Sequence, residues 1–278
     1  MTVTRHELDQ LLAILREAAA IEIMPRFRRL DPTEIHSKGD PLDLVTCADE
    51  GAERFVADRV VTLWPGTAMV GEEACARGPE PLAALTTARR AVVLDPIDGT
   101  ANFAAGTPLF GVMAAIVEDG QVEASAILDP VSGDAALALR REGAWLDRDG
   151  RALRPLRAAA PAALSAMVGK TAWRSLPAAM REQATGFLAR VGGLWDYRCA
   201  AHEYLQAADG HCHFLMYTRT LPWDHLPGSL LLQEAGAYGA HFDGTPYTPG
   251  HLKGGLLYAP DQASWLTLRD GMGLSGLH

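Results

Sequence analysis

AVVLDPIDGTANF, Ala91 to Phe103, runs four apolar residues straight into Asp95, Pro96, Ile97, Asp98, Gly99 and Thr100. The apolar run reads as a strand, and the two aspartates stand where it ends. Asp and Gly are ordinary turn residues, so a plain strand end accounts for them at first sight. Two features point further. Asp95 lies at the lip of a buried sheet, where an unpaired charge is costly unless a cation or hydrogen-bond donors answer it. The chain then continues through Gly99, Thr100, Ala101 and Asn102, whose successive N–H groups can converge as they do at a helix start, a natural seat for phosphate. Carboxylates to hold hard cations beside amides to hold an anion predict a phosphate-plus-Mg²⁺ site.

Working outward, TAMVGEE reads as a second short strand, this one ending on Glu72 and Glu73. Leu109 to Val117 and Gln121 to Leu128 flank Asp119-Gly120, the dipeptide that supplies the positive φ values of a tight hairpin, and Ala135 to Arg140 extends the antiparallel sheet. Upstream, Leu8, Leu11, Leu12, Leu15, Ala18 and Ala19 recur at helical spacing and predict one amphipathic helix over His6 to Met24, with Pro25 behind it. After KGDPLDLVTCAD, a loop and an extended segment, Ala52, Phe55, Val56, Val60 and Leu63 predict a helix from about Asp49 to the Trp64-Pro65-Gly66 turn. Arg148 to Leu164 is rich in Arg, Ala and Pro without periodicity, and places a seam near Arg154 between residues 1–153 and 154–278. Beyond it, Ala178 to Val191 and Ala200 to Ala208 read as helices, His211 to Tyr217 as a strand, and Asp224 to Gly236 as a helix stopped by Gly236 or Gly239.

The 278 residues are 48% hydrophobic and 21% charged, a composition that folds rather than one that stays disordered. The formal charge of -9 and the absence of a Lys/Arg stripe argue against nucleic acid as a partner. Cys47, Cys75, Cys199 and Cys212 show no C-x-x-C spacing, so neither a disulfide framework nor a zinc site is expected, and a reducing cytoplasm is. No targeting segment and no bilayer-spanning run is expected either.

The D-x-D-G-T signature of haloacid-dehalogenase-type phosphatases is a competitor, but here Pro96 and Ile97 put two residues between the acids and break it. The D-P-I-D-G-T run resembles instead the inositol monophosphatase family of Mg²⁺-dependent, lithium-sensitive phosphatases. Four segments carry the likeness in order: Lys38 to Asp49, Gly71 to Glu73, Asp95 to Thr100, and Trp223 to Gly228. The resemblance implies a layered αβαβα sandwich of the inositol monophosphatase and fructose-1,6-bisphosphatase type, a homodimer, and hydrolysis of a small phosphorylated metabolite by a metal-activated water. It implies two or three Mg²⁺ ions and inhibition by Li⁺. Asp95 would bridge two ions, Glu72 and the Ile97 carbonyl completing one and Asp98 and Asp224 the other. Asp49 would act as base through the Thr100 hydroxyl, the Gly99 and Thr100 backbone would hold phosphate oxygens, and Lys38 would lie near metal and phosphate. Plainer readings stand beside these: Asp49 and Asp224 as helix caps, Trp223 as core, Thr46 as support for its turn, Glu73 as a group that orients Glu72, Lys38 as a solvated lysine.

The chain also departs from the family pattern. A glutamate that often meets the substrate polyol a few residues before the W-D aspartate is missing, and Tyr217 or Met216 stands there. Arg198-Cys199-Ala200-Ala201 continues into His202 and Glu203, where small or apolar residues are usual. A phosphomonoester other than inositol phosphate is therefore expected (histidinol phosphate, a sugar phosphate or a nucleotide), with an anionic or aromatic portion that Arg219, His213 or Tyr217 would meet. His211 and His213 read equally as solvent-facing residues on a strand. A binding or regulatory protein that keeps the fold without turnover is the alternative function.

Overall fold

The computed structural model describes residues 3–39, 43–148 and 151–276; the Asp40 to Leu42 part of the first motif lies outside them. Helix α1 (Arg5–Ala18) opens with Thr4 and Glu7 in a reciprocal capping box and runs into a widened π-helical turn over Ala19–Ile23, so the helix expected over His6 to Met24 changes pitch near its end. A small ribbon of β1 (Ile35–Ser37) and β2 (Leu44–Thr46) leads into α2 (Cys47–Leu63). The cap of α2 is Thr46, and Asp49 is the third helical residue, accepting the Thr46 N–H; the expected start near Asp49 is two residues late, because the acid closes the capping box rather than beginning it.

Next come β3 (Ala68–Gly71), α3 (Glu72–Arg77), α4 (Ala84–Thr87), β4 (Arg90–Asp98) and α5 (Thr100–Ala104). The meander β5 (Gly111–Glu118), β6 (Gln121–Leu128), β7 (Asp134–Leu139), β8 (Gly143–Arg148) and β9 (Arg151–Pro155) follows. Among the described residues, β3 to β9 form one sheet in sequence order, parallel only between β3 and β4. Asp119 and Gly120 turn the β5–β6 hairpin at φ 48° and 75°. The seam expected near Arg154 falls inside β9. The segment looked irregular because an outer hairpin takes its structure from pairing with β8 more than from an alternating pattern of its own.

The rest of the chain supplies β10 (Val168–Thr171), α6 (Ala178–Leu188), β11 (Gly193–Trp195), α7 (Ala200–Ala208), β12 (Phe214–Tyr217), α8 (Pro222–Glu234), β13 (Tyr238–His241), β14 (Leu256–Ala259) and α9 (Gln262–Gly271). Its strands form a second sheet in the order β11-β10-β12-β14-β13.

Successive residues of β4 explain the layering, because alternate side chains leave a strand on opposite faces. Val92 and Leu94 pack with α1 and α2, whereas Val93 packs with α7, α8 and one face of the second sheet through Tyr204, Leu226, Leu215 and Leu256. The far face of that sheet carries Phe214, Met216 and Leu257 against Phe187 of α6 and Trp265 of α9. The order is thus α1/α2, large sheet, α7/α8, small sheet, α6/α9, the expected αβαβα sandwich. A strand covered on both faces has to be apolar throughout, which is why AVVL shows no alternation. In the middle layer Gly228 is required by proximity: a Cβ there would lie 2.3 Å from the Tyr204 ring. Among the described residues no helix is long and apolar enough to cross a membrane.

Candidate active site

In a regular strand, residues three apart face opposite sides, so Asp95 and Asp98 should diverge. They do not, because the ladder between β4 and β5 shifts between them: Asp95 pairs with Met113, and the next pairing is Asp98 with Gly111. Pro96 has no N–H to give that ladder, and Ile97 turns its N–H to the Asp95 Oδ1 at 3.0 Å. Asp224, third residue of α8, completes the group. Carboxylate oxygens of Asp95, Asp98 and Asp224 lie within 4.8 Å of one another. Its side chain forms no cap, so the capping role does not hold for Asp224.

These acids border a cleft of ≈ 270 Å³ together with Glu72, Ile97, Gly99 and Thr100. Burial raises the Asp95 carboxyl well above the usual range, and the charges of Glu72, Asp98, Asp224 and Asp49 add to it. Asp224 is raised by burial and then by Glu72 and Asp98. Asp98 is also raised by burial, against the opposing hydrogen bonds from the Cys199 thiol at 3.0 Å and the Ala201 N–H at 2.6 Å. Three all-oxygen donors this close, in surroundings that disfavour their charged forms, fit a hard divalent cation.

Glu72 begins α3 and borders the same cleft, outside the three-aspartate group. Lys38 Nζ holds its Oε1 at 2.8 Å, and the same ammonium donates to Glu73 at 2.6 Å. Burial alone would lower the lysine pKa, but Glu72 and Glu73 outweigh it and keep Lys38 charged. Lys38 is therefore a partly buried bridge rather than a solvated lysine. Glu73 is buried and raised to about 7 by desolvation, against the Lys38 hydrogen bond and with the charge of Glu72 adding to the rise. Glu53 fixes the start of α3 by accepting the Glu73 and Ala74 N–H groups at 2.7 and 2.8 Å. It stands four residues after Asp49 on the same helix face, the one signal by which the sequence could have flagged it.

Asp49 sits behind the cleft. Its Oδ2 accepts the Thr46 hydroxyl at 2.6 Å and the Thr46 N–H at 2.8 Å, and its Oδ1 accepts the Thr100 hydroxyl at 3.0 Å. Burial raises its pKa to about 7 in spite of these donors. The Ile97 carbonyl, 2.9 Å from Thr100 Oγ, shares that one hydroxyl proton with Asp49. Gly99 takes φ 86°, and a Cβ on it would lie 2.9 Å from the Leu109 carbonyl oxygen, so only glycine makes this turn without strain. Among the described residues, no main-chain hydrogen bond takes the Thr100 or Ala101 N–H, as expected of first-turn amides.

Beyond the acids, a second cavity of ≈ 230 Å³ adjoins the cleft, sharing Asp98, Asp224, Arg198 and Arg219 with it and reaching Tyr217 and Glu203. The stretch before Trp223 lacks an acid, yet α7 brings Glu203 into this space. Its carboxylate accepts the Tyr197 N–H at 3.0 Å and faces the Tyr217 hydroxyl. Tyr217 is itself buried against Tyr204 and His225. Arg219 reaches the rim and pairs with Asp43 at 3.3 Å. His211 and His213 border neither cavity: both precede β12, His211 lying exposed near Asp209 and His213 accepting the Val168 N–H. The leaving-group contact expected of His213 is thus corrected. Arg198 borders both cavities, a role that its place before Cys199 in the sequence does not signal, because only the fold brings it there.

A family model described as the inositol monophosphatase family matches residues 6–269. The inositol-1-monophosphatase of Bacillus subtilis is 29% identical over 215 residues, covering 77% of this chain and 78% of that protein. That of Mycobacterium leprae is 32% identical over 206 residues, 73% of this chain and 70% of that one. The Escherichia coli protein named Nus factor SuhB is 29% identical over 231 residues, 80% of each. In three dimensions the Thermotoga maritima IMPase matches with a TM-score of 0.80 at 23% identity, over 97% of this chain and 96% of that one. The four sequence segments, the five layers and a family match over residues 6–269 agree: the chain belongs to the inositol monophosphatase family.

Proposed function

We propose that the protein is a Mg²⁺-dependent phosphomonoesterase that transfers the phosphoryl group of a small metabolite to water without a phosphoenzyme. The observation that carries this reading is the meeting of Asp95, Asp98 and Asp224 within 4.8 Å on a cleft also lined by Thr100, whose hydroxyl is backed by Asp49. Asp95, Asp98, Asp224, Glu72 and the Ile97 carbonyl would hold the divalent ions. When bound, those ions lower the pKa of a coordinated water and offset charge on the attacking and leaving oxygens. The Thr100 hydroxyl would receive the proton of the attacking water while passing its own to Asp49 Oδ1, a carboxylate whose pKa near 7 suits a base at neutral pH. The N–H groups of Gly99 and Thr100 would face the phosphoryl oxygens. Lys38 keeps Glu72 in place, and Tyr217 and Arg219 would meet the leaving group. Two or three Mg²⁺ ions, inhibition by Li⁺ and a homodimer belong to the same reading and rest on the family likeness, and a cytoplasmic setting rests on the cysteine usage.

Phosphate release from a panel of inositol, histidinol, sugar and nucleotide phosphates, with Mg²⁺ and with EDTA, tests it. Release restored by Mg²⁺ and abolished in Asp95→Asn supports the reading. A second reading, a phosphate-ligand-binding or regulatory protein, draws on the likeness to the protein named Nus factor SuhB. It predicts no metal-restored release from any compound.

A further inference from the structure

The approach to the second cavity is governed by a loop, Asp196 to Cys199, that is tied down at nearly every group except one. The Tyr197 N–H donates to Glu203, and the Tyr197 carbonyl accepts from Asn102 Nδ2 at 2.9 Å. Its ring lies under the Lys170 ammonium, 3.7 Å from the centroid. The Arg198 N–H donates to Asp196 Oδ1 at 3.0 Å, and the Cys199 thiol donates to Asp98. These restraints hold Arg198 at φ 52°, a left-handed conformation that a non-glycine residue adopts at a cost. The guanidinium that results is exposed and borders both cavities, and no ion pair among the described residues claims it. Arg219 stands at the same junction, its link to Asp43 long at 3.3 Å and largely exposed. The buried acid of the second cavity, Glu203, accepts the Tyr197 N–H, and among the described residues it forms no ion pair with either arginine.

We infer that Arg198, with Arg219, selects substrates whose leaving group carries a second anion, a carboxylate or a further phosphate, seated where the two cavities join. The inference rests on the phosphomonoesterase reading, since it places the scissile phosphate among the aspartates. Gly99 and Thr100 line the aspartate cleft alone, whereas Arg198 and Arg219 line the second cavity as well, into which a leaving group would extend. A planar guanidinium matches a carboxylate or phosphate through paired hydrogen bonds, and here the restrained loop backbone sets where the Arg198 side chain starts.

The test uses three compounds on one three-carbon skeleton: glycerol phosphate, phosphoglycerate and glycerol bisphosphate. For the full chain with Mg²⁺, kcat/KM for one or both anion-bearing compounds should exceed that for glycerol phosphate at least tenfold, and the larger preference identifies carboxylate or phosphate. Arg198→Gly, which relieves the left-handed strain and so should fold, should cut that preference tenfold or more, chiefly through KM. Arg198→Lys should keep more of it than Arg198→Gly. No preference in the wild type, or an equal loss on all three compounds in Arg198→Gly, would overturn the inference; the latter would show that Arg198 holds the scissile phosphoryl. Calorimetric binding of the same compounds separates the two readings. If nothing is hydrolysed but anion-bearing compounds bind at least tenfold more tightly in an Arg198-dependent way, the hydrolase reading falls and the anion selection stands. Equal binding of all three overturns the selection.

Discussion

Asp49→Asn tests the Thr100–Asp49 pair by separating what the carboxylate does for chemistry from what it costs the fold. The variant is close to isosteric. An amide oxygen in place of Oδ2 keeps both Thr46 hydrogen bonds, and an amide nitrogen in place of Oδ1 donates to Thr100 Oγ, which still donates to the Ile97 carbonyl. The hydroxyl then has nowhere to send a proton, so activity should fall by about 10²- to 10⁴-fold, the usual worth of a general base. Stability should move the other way. Burial lifts the Asp49 carboxyl from 3.8 to about 7, so the native state binds the proton more tightly than the unfolded chain does between those values. Stability contributed by this group is therefore full below pH 3.8, declines as pH rises, and is lost above pH 7, by about 4 kcal/mol at ~1.4 kcal/mol per pH unit. Asparagine has no such slope. In urea titrations of the metal-free protein in EDTA, the stability of Asp49→Asn relative to wild type should grow by about 3 kcal/mol between pH 5 and pH 8. Phosphate release with Mg²⁺ supplies the second readout. A difference that does not change with pH, or a variant within threefold of wild-type activity, would refute the argument.

Removing metal should matter more to the wild type than to a ligand variant: Mg²⁺ at a hundred times its dissociation constant should stabilise the wild type by about 2.7 kcal/mol over EDTA in thermal melts, and Asp224→Asn should lose most of that increment. His225 is buried between the Tyr204 hydroxyl at 3.0 Å and the Arg219 carbonyl at 2.8 Å, and burial lowers its pKa from 6.5 to about 4. The unfolded chain then binds the extra proton between those values, so stability should fall by about 3 kcal/mol from pH 6.5 to pH 4, a slope that His225→Asn should lack in parallel denaturant titrations. Gly228→Ala should destabilise by about 1–3 kcal/mol, seen as a lower urea midpoint, because the new methyl collides with the fixed Tyr204 ring between α7 and α8. An unchanged midpoint would show that α8 can move away without cost.

The local chemistry of the chain determined those parts whose signal lies within a few residues. The spacing of Leu8, Leu11, Leu12 and Leu15 makes α1 wherever it packs; Asp119-Gly120 turns a hairpin by its own backbone preferences; and AVVL followed by Asp95 and Asp98 marks a buried strand that ends in charge. The motif order added the family and the acids to watch. Tertiary structure alone decided which acids meet. The irregular pairing of β4 with β5 turns Asp95 and Asp98 to one side, α8 brings Asp224 across from the far half, and Lys38 draws the Glu72 carboxylate toward itself. It likewise set Glu53 against the start of α3, brought Glu203 to the second cavity and Arg198 to the junction of the two, and made β9 a strand through its pairing with β8. Periodicity and turn chemistry act between neighbours in the chain, whereas the position of a charge relative to another depends on burial and pairing contributed by distant segments, and no short stretch of sequence contains that information.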